Sequence, residues 1–206
     1  YYDNASQLYK NYLFNSGNLD VPFKDIKTVY VDEVQDRIYV GAHAGGMMVL
    51  HRKSGYIEYY NRHNSNLPSN NIYSIISDGY GGLWVASLEY LLHFDIDKRN
   101  FTIVDVDEDG HKLQQYNRLL FCDSKKRIWA GGEMGISVFN QVGTSLLPNT
   151  DFQIASVLKQ AFVNCFYETS SGYLWIGTRN GLFALKESDK QFLQYTTENG
   201  LPSNVI

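Results

Sequence analysis

The densest group of carboxylates in the 206-residue sequence is the run from Asp105 to Gly110, which reads Asp-Val-Asp-Glu-Asp-Gly. Its alternating aspartates have the spacing of the first half of a calcium-binding loop, where three carboxylates converge on the ion and the glycine allows a sharp turn. The twelfth position holds Tyr116 in place of a bidentate glutamate, and no helical pattern flanks the run. We therefore expect a solvated acidic turn, with a calcium loop (Asp105–Asp109) as the open alternative, and we predict no cofactor and no resident metal.

The other residues that commonly perform chemistry are scattered along the chain. The histidines do not have the spacing of a zinc site; they are His43, His51, His63, His93 and His111. Cys122 and Cys165 lie seven and ten residues before the nearest following tryptophan. Their side chains should therefore point to opposite faces of their strands, and we predict two small buried residues without a disulfide. No nucleophile–base set or phosphate-binding glycine loop is recognisable, so we predict no catalytic residues and a segment that is not an enzyme.

An internal repeat must position whatever chemistry remains. Trp84, Trp129 and Trp175 lie in similar local sequences 45 and 46 residues apart, and Tyr39 holds the same place one period earlier. We call these four residues the anchors. Each is preceded by an acidic residue six or seven positions earlier and followed two positions later by Gly or Ala; the acidic residues are Asp32, Asp78, Asp123 and Glu168, and the small ones Gly41, Ala86, Gly131 and Gly177. We expect the anchors to pack between neighbouring units and the small residues to allow close approach.

Within one period the hydrophobic pattern alternates, and Gly, Asp and Asn separate four short runs, as expected for four antiparallel strands. Four strands in about 45 residues is the size of one β-propeller blade. The predicted fold class is therefore all-β, an incomplete propeller arc of about four and a half blades cut from a longer propeller. The predicted units are 1–20 (partial), 21–65, 66–112, 113–158, 159–200 and 201–206 (the start of another).

Composition excludes several partners. Hydrophobic residues make up 44% of the chain and aromatic residues 15%, which suits a packed β structure, while the net charge is −4. No basic run is dense enough to follow a phosphate backbone, so no nucleic-acid partner is predicted. No stretch approaches the roughly 18 apolar residues of a membrane span, so we predict no membrane contact by this segment.

The turn that follows each anchor strand carries residues that do not repeat. Because a rigid frame with variable tips can present a specific surface, these turns are the predicted ligand-binding positions. The residues are His43, Glu89, Tyr90, Glu133, Arg179 and Asn180. Their carboxylate, guanidinium, amide and phenol groups suit hydroxyl-rich ligands. Two alternatives remain open: the side chains are ordinary solvated turn residues, or they contact a second propeller.

Two stretches resemble the two-component regulator propeller repeat: Leu67-Pro-Ser-Asn through Leu-Trp-Val-Ala-Ser87, and Glu168 through Tyr-Leu-Trp-Ile-Gly to Leu182, with a second Leu-Pro-Ser-Asn at 201–204. The resemblance implies the periplasmic sensor region of hybrid two-component histidine kinases of Bacteroides-type bacteria. It further implies two seven-bladed propellers, an immunoglobulin-like domain, a membrane helix and cytoplasmic signalling modules. Tyr39 in place of Trp, and Gly131-Gly-Glu-Met134 in place of Gly-Thr, depart from the repeat pattern.

The expected function is therefore extracytoplasmic ligand recognition, with glycan breakdown products as the signal and the periplasm as the location, as part of an inner-membrane protein. The expected partners are an oligosaccharide, neighbouring blades or domains of the same chain, and a second receptor copy in a homodimer. Two other functions stay open: a carbohydrate-active propeller enzyme (a lyase or hydrolase), and a propeller that only binds other proteins.

Overall fold

A computed structural model describes residues 2–3, 8–9, 25–104, 117–149, 158, 160–189 and 191–206. The acidic run Asp105–Asp109 and His111 lie outside these described residues. The prediction of an all-β propeller arc is confirmed, because the described residues form four sheets, each of four antiparallel strands. A further short antiparallel pair consists of β1 (Tyr2–Asp3) and β2 (Leu8–Tyr9).

Each sheet is a meander whose strands are neighbours in sequence order, so we number the blades along the chain. The first blade contains β3 (Ile26–Asp32), β4 (Arg37–Ala42), β5 (Gly46–His51) and β6 (Ile57–Tyr60). The second contains β7 (Ile72–Ser77), β8 (Leu83–Ser87), β9 (Leu91–Asp95) and β10 (Asn100–Ile103). The third contains β11 (Asn117–Cys122), β12 (Arg127–Gly132), β13 (Gly135–Val142) and β14 (Ser145–Pro148). The fourth contains β15 (Val163–Glu168), β16 (Leu174–Thr178), β17 (Gly181–Lys186) and β18 (Gln191–Tyr195).

Short 3-10 helices at Glu187–Asp189 and Thr197–Asn199 complete the regular structure of the fourth blade. None of the helices in the described ranges has the length and apolar character needed to cross a membrane.

The core is divided among the seams between successive blades. Three hydrophobic clusters occupy the three seams between the four blades, and each contains one buried anchor: Tyr39 in the first, Trp84 in the second and Trp129 in the third. Each anchor packs against side chains of the next blade; Tyr39 shares its cluster with Ile75, Leu83 and Val85, Trp84 with Leu120, Ile128 and Phe139, and Trp129 with Val163, Ile176 and Phe183. The repeated anchor thus forms the contact between neighbouring blades, since one aromatic ring fills the space between two sheets.

Trp175 lies on the outward face of the fourth blade, where no described blade covers it. It is half-buried and packs against Tyr195 and Tyr173, with ring centroids 5.9 and 6.3 Å away. Tyr167 and Leu193 on the same face are 66% and 41% exposed. This face therefore carries aromatic and aliphatic side chains like those of a seam, but none of the described sheets packs against it.

Close approach between blades depends on the small residue that follows each anchor. A Cβ atom placed on Gly41 would collide with Cγ2 of Ile72, which belongs to the next blade. One placed on Gly131 would lie 3.0 Å from both Phe166 and Val163, again in the next blade. A methyl group at Gly41 or Gly131 would therefore require the contacting side chains of the next blade to shift.

The two cysteines are both free. The expectation that both are buried is wrong for Cys165, which is exposed because it lies on the same outward face as Trp175. Cys122 is half-buried against the seam between the second and third blades, and burial raises the pKa of its thiol.

Candidate functional site

One end of the arc collects the residues that do not repeat. In a four-stranded meander, the start of the first strand and the hairpin between the second and third strands lie at the same end. We call this end the loop end, and the end with the turns between first and second strands the turn end. All six predicted ligand-binding residues lie in hairpins at the loop end, or directly beside them.

Backbone hydrogen bonds fix these hairpins to the chain that enters the same blade. The amide of His43 donates to the carbonyl of Asp25 at 2.8 Å, and the amide of Arg179 donates to the carbonyl of Phe162 at 3.0 Å. In the second blade, the amide of Leu88 donates to the carbonyl of Asn71 at 3.1 Å. The hairpins are therefore held at defined positions, as a rigid display surface requires.

Asn71 also joins two blades. Its side-chain oxygen accepts a hydrogen bond from the amide of Ala44 at 2.8 Å, in the hairpin of the preceding blade. Ala44 has a φ of 59°, a left-handed conformation in which its amide is turned toward Asn71. Neighbouring hairpins at the loop end are thus coupled through one amide side chain.

A β-bulge interrupts the first strand of every blade at the same place. The pairing between first and second strands skips one residue near the loop end: Lys27, Tyr73, Arg118 and Asn164. These four positions are 45 or 46 residues apart, like the anchors, but their side chains are all different. Bulges change the direction of a side chain relative to the sheet, so the fold presents four non-repeating residues from a repeated backbone feature. We call them the bulge residues.

The bulge residues lie on the innermost strands of the arc, because the first strands of consecutive blades contact one another. The Arg118 guanidinium lies 5.1 Å from the ring centroid of Tyr73, a cation–π geometry that joins the second and third blades. Arg118 also forms an ion pair with Glu133, and its Nε is buried without a hydrogen-bond partner among the described residues. Lys27 pairs with Asp25 at 2.8 Å.

Among the predicted ligand-binding residues, only Glu133 is brought into this group. His43 is half-exposed, with Nδ1 3.9 Å from the carboxylate of Asp25. Glu89 is exposed, whereas Tyr90 is partly buried against the first hydrophobic cluster and so contributes to packing.

The fourth blade holds the last two predicted residues at its own hairpin. The guanidinium of Arg179 lies 3.7 Å from the ring centroid of Phe162, a cation–π contact with the residue just before the first strand of the blade. The Asn180 amide donates to Oγ1 of Thr178 at 2.9 Å, and its carbonyl accepts from Gln194 at 3.2 Å. Within the described ranges, no hydrogen bond or ion pair joins His43, Glu89 and Arg179 to one another.

Sequence reasoning missed the bulge residues. It assigned variability only to the hairpin tips, because a bulge is a mismatch in pairing between two strands and leaves no mark in either strand alone. A signal was nevertheless present, since Lys27, Tyr73, Arg118 and Asn164 recur with the repeat period while their chemical types change. Within the described part of the chain, no group of three or more His, Cys, Asp or Glu side chains could hold a metal ion.

The fold and this end of the arc define a segment of β-propeller blades with a rigid frame and variable loop-end residues. Two of its repeats, residues 66–89 and 158–180, match the family described as "Two component regulator propeller". The resemblance predicted from the sequence is confirmed for these repeats. No curated protein matches the chain.

Solved structures share the fold. The extracellular domain of the putative hybrid two component system BT4673 from B. thetaiotaomicron superposes with a TM-score of 0.71 at 20% identity, over 88% of this chain and 24% of that one. The corresponding domain of BT3049 from the same organism gives 0.64 at 21% identity, over 82% and 23%. PorZ, a surface component of the type-IX secretion system of Porphyromonas gingivalis, gives 0.68 at 17% identity, over 93% and 31%. This chain thus spans about a quarter to a third of the length of these structures.

Proposed function

We propose that this chain is a ligand-recognition segment of an extracytoplasmic, periplasmic sensor in a hybrid two-component receptor, and that it recognises glycan breakdown products. The two matching repeats and the shared fold with extracellular domains of such systems support the receptor class. The observation that carries the recognition role is the row of bulge residues: the backbone repeats, but the side chains it presents do not.

The chemistry of this row suits a hydroxyl-rich ligand. The face of Tyr73 can stack on a sugar ring, while Arg118 and Glu133 supply donors and acceptors that are already oriented by their mutual ion pair. The Nε of Arg118, which has no hydrogen-bond partner among the described residues, is a further donor at the same place. A ligand that bound here would contact two blades at once, because Tyr73 belongs to the second blade and Arg118 to the third.

Signalling through such a site requires that the ligand bind one arrangement of the receptor more tightly than another. A homodimeric receptor, which we also propose, would provide two such arrangements through a change at the interface between copies. The proposed role of this segment is recognition alone, without catalysis.

Oligosaccharide binding to the intact protein tests this proposal. Thermal shift against a panel of neutral and acidic oligosaccharides should identify a class that raises the melting temperature, and Arg118→Gln should weaken that binding by about tenfold or more, since a charge-assisted hydrogen bond is lost. Lys53→Gln is the matched control, because Lys53 is exposed and lies at the turn end. An unchanged melting temperature with every saccharide contradicts recognition, and release of shortened saccharide products would indicate an enzyme instead.

A further inference from the structure

Each buried anchor carries one hydrogen-bond donor, an indole N–H or a phenol O–H, and the surroundings of this donor differ between the seams. In the second seam, Nε1 of Trp84 donates to Oε1 of Gln141 in the next blade at 3.2 Å. In the third seam, Nε1 of Trp129 donates to Oδ2 of Asp123 at 2.8 Å. Both partners reach the indole from the turn end, so each of these seams is closed by a hydrogen bond within the protein.

The anchor of the first seam lacks such a hydrogen bond. Tyr39 is fully buried, and its hydroxyl has no hydrogen-bond partner among the described residues. Burial raises the pKa of this phenol, and the nearby Arg37 guanidinium offsets part of the rise. A buried hydroxyl without a partner destabilises a fold, so such a group in a native structure calls for a partner.

A cavity of about 180 Å³ lies beside this hydroxyl, between the first and second blades. Its polar lining comes from both blades and consists of Arg37, Tyr39, Glu58, Tyr60, Asp97 and Arg99. Sites for drug-sized ligands usually occupy about 300–1,000 Å³, so this one suits a molecule of only a few heavy atoms.

The third seam contains a corresponding cavity, in which the lysine and the arginine of the lining are both paired. It measures about 240 Å³ and is lined by Lys125, Arg127 and Glu187, among others. Both of its cations are paired with Glu187, Lys125 at 2.5 Å and Arg127 at 3.0 Å, and Arg127 also pairs with Asp123 at 2.6 Å. Its charges therefore satisfy one another.

In the first seam, the lining holds two arginines and two acidic side chains, but only Arg99 and Glu58 form an ion pair with each other. Glu58 accepts from His51 at 2.6 Å and from the hydroxyl of Tyr60 at 2.8 Å, and Arg99 lies 3.3 Å from its second oxygen. Arg37, which holds the place of Arg127, has no ion pair with any described residue. Two hydrogen-bond donors thus remain at one wall of the cavity, the Arg37 guanidinium and the Tyr39 hydroxyl.

We propose that this cavity binds a small organic carboxylate, which pairs with Arg37 and accepts a hydrogen bond from Tyr39. A carboxylate matches the planar fork of a guanidinium in charge and geometry. The acidic side chains of Glu58 and Asp97 in the same lining disfavour a doubly charged anion such as phosphate. The half-exposed side chain of Arg37 must turn to admit the ligand, because the Tyr39 hydroxyl is buried beneath the cavity surface.

Calorimetry and thermal shift of the full chain with acetate and glycolate test the proposal, with acetamide as the neutral analogue of acetate and constant ionic strength. We expect both carboxylates, but not acetamide, to raise the melting temperature. Tyr39→Phe should weaken carboxylate binding by about tenfold and leave the ligand-free protein as stable as before or more so, because it removes an unsatisfied hydroxyl. Arg37→Gln should abolish the carboxylate effect.

Tyr80→Phe is the matched control, because it removes the same hydroxyl from a tyrosine that is 69% exposed. It should leave both binding and stability unchanged. Three results would overturn the proposal: carboxylates that do not bind, acetamide that binds equally well, or Tyr39→Phe protein that binds carboxylate as the unaltered chain does. These outcomes leave the loop-end function untouched, because the cavity lies at the other end of the arc.

Discussion

At the scale of single residues, the turns between first and second strands depend on one side-chain oxygen. Oδ1 of Asp78 accepts hydrogen bonds from the amides of Tyr80 and Gly82 at 2.7 and 2.8 Å, and Asp123 makes the equivalent pair in the third blade. The second oxygen of Asp78 binds Nε2 of the buried His93 at 2.8 Å. The repeated aspartate therefore caps backbone donors, as its spacing predicts.

Glu168 holds the same place in the fourth blade but acts differently. Its longer side chain reaches the preceding blade, where its two oxygens accept from the amide and the hydroxyl of Ser124, both at 2.7 Å. The turn that follows is capped instead by Thr169, whose Oγ1 accepts from the amide of Tyr173 at 3.0 Å. Glu168 thus links two blades, whereas Asp78 and Asp123 cap turns within their own blades.

Glu58 gives a prediction about pH. Burial by itself would raise the pKa of this carboxyl, but hydrogen bonds from His51 and Tyr60 and the charge of Arg99 outweigh it and hold the pKa below its ordinary value. A lowered folded-state pKa stabilises the fold above the unfolded value of about 4.3, and this contribution is lost as the pH falls through the folded value. Glu58→Gln should therefore cost about 1.5–3 kcal/mol at pH 7 and progressively less below about pH 4.

Urea unfolding between pH 3 and 7 measures this effect. Glu89→Gln is the control, since Glu89 is exposed, and its unfolding free energy should follow that of the unaltered chain at every pH. A penalty for Glu58→Gln that stays constant down to pH 3 would contradict the assigned ionisation.

At the scale of elements, the anchor positions are equivalent in sequence but not in burial. Trp84 and Trp129 are fully buried because a following blade covers them, whereas Trp175 is half-buried on the outward face. Trp84→Ala and Trp129→Ala should each lower the free energy of unfolding by about 3–5 kcal/mol. Trp175→Ala should cost clearly less, because it leaves a surface depression and no sealed cavity.

Urea denaturation of the three variants measures this ranking. If an alanine variant does not fold, phenylalanine at the same three positions preserves the order with smaller losses. Equal losses at all three positions would show that the outward face is covered to the same degree as the seams.

At the scale of the whole molecule, the segments that follow the first and the fourth blade have the same structure. The amide of Asn61 donates to Oδ1 of Asn64 at 2.9 Å, and the amide of Thr196 donates to Oδ1 of Asn199 at 2.6 Å. The matching hairpin bonds run from the Gly46 amide to Asn70 and from the Gly181 amide to Asn204. The two Leu-Pro-Ser-Asn copies thus build one structure twice, so the arc is a stack of equivalent units joined mainly to their neighbours.

Hydrogen exchange should reveal how stability is distributed along this stack. Amides of β8, whose five residues are all buried between two neighbouring blades, should exchange slowest together with those of β12. Amides of β18, at the outer edge of the fourth blade, should exchange fastest among the strands of the second, third and fourth blades. Uniform protection across these blades would indicate a single cooperative unit instead.

The amino-acid sequence alone determined the fold class, because strands, turns and the 45-residue period depend on interactions between residues close in the chain. Alternating hydrophobicity marks strands such as Leu83–Ser87, and Asp78 with the glycines after it marks the turn. The resemblance to regulator propeller repeats also rests on these local patterns.

Only the tertiary structure decided which non-repeating residues meet. The bulge at Arg118, its contact with Tyr73 and the unpaired hydroxyl of Tyr39 arise from atoms about 45 residues apart or from a mismatch between two strands. A local pattern cannot specify such contacts, because they depend on how far one sheet is offset against the next. The exposure of Cys165 was equally beyond a local pattern, because it depends on whether another sheet packs on the Trp175 face, and none of the described sheets does.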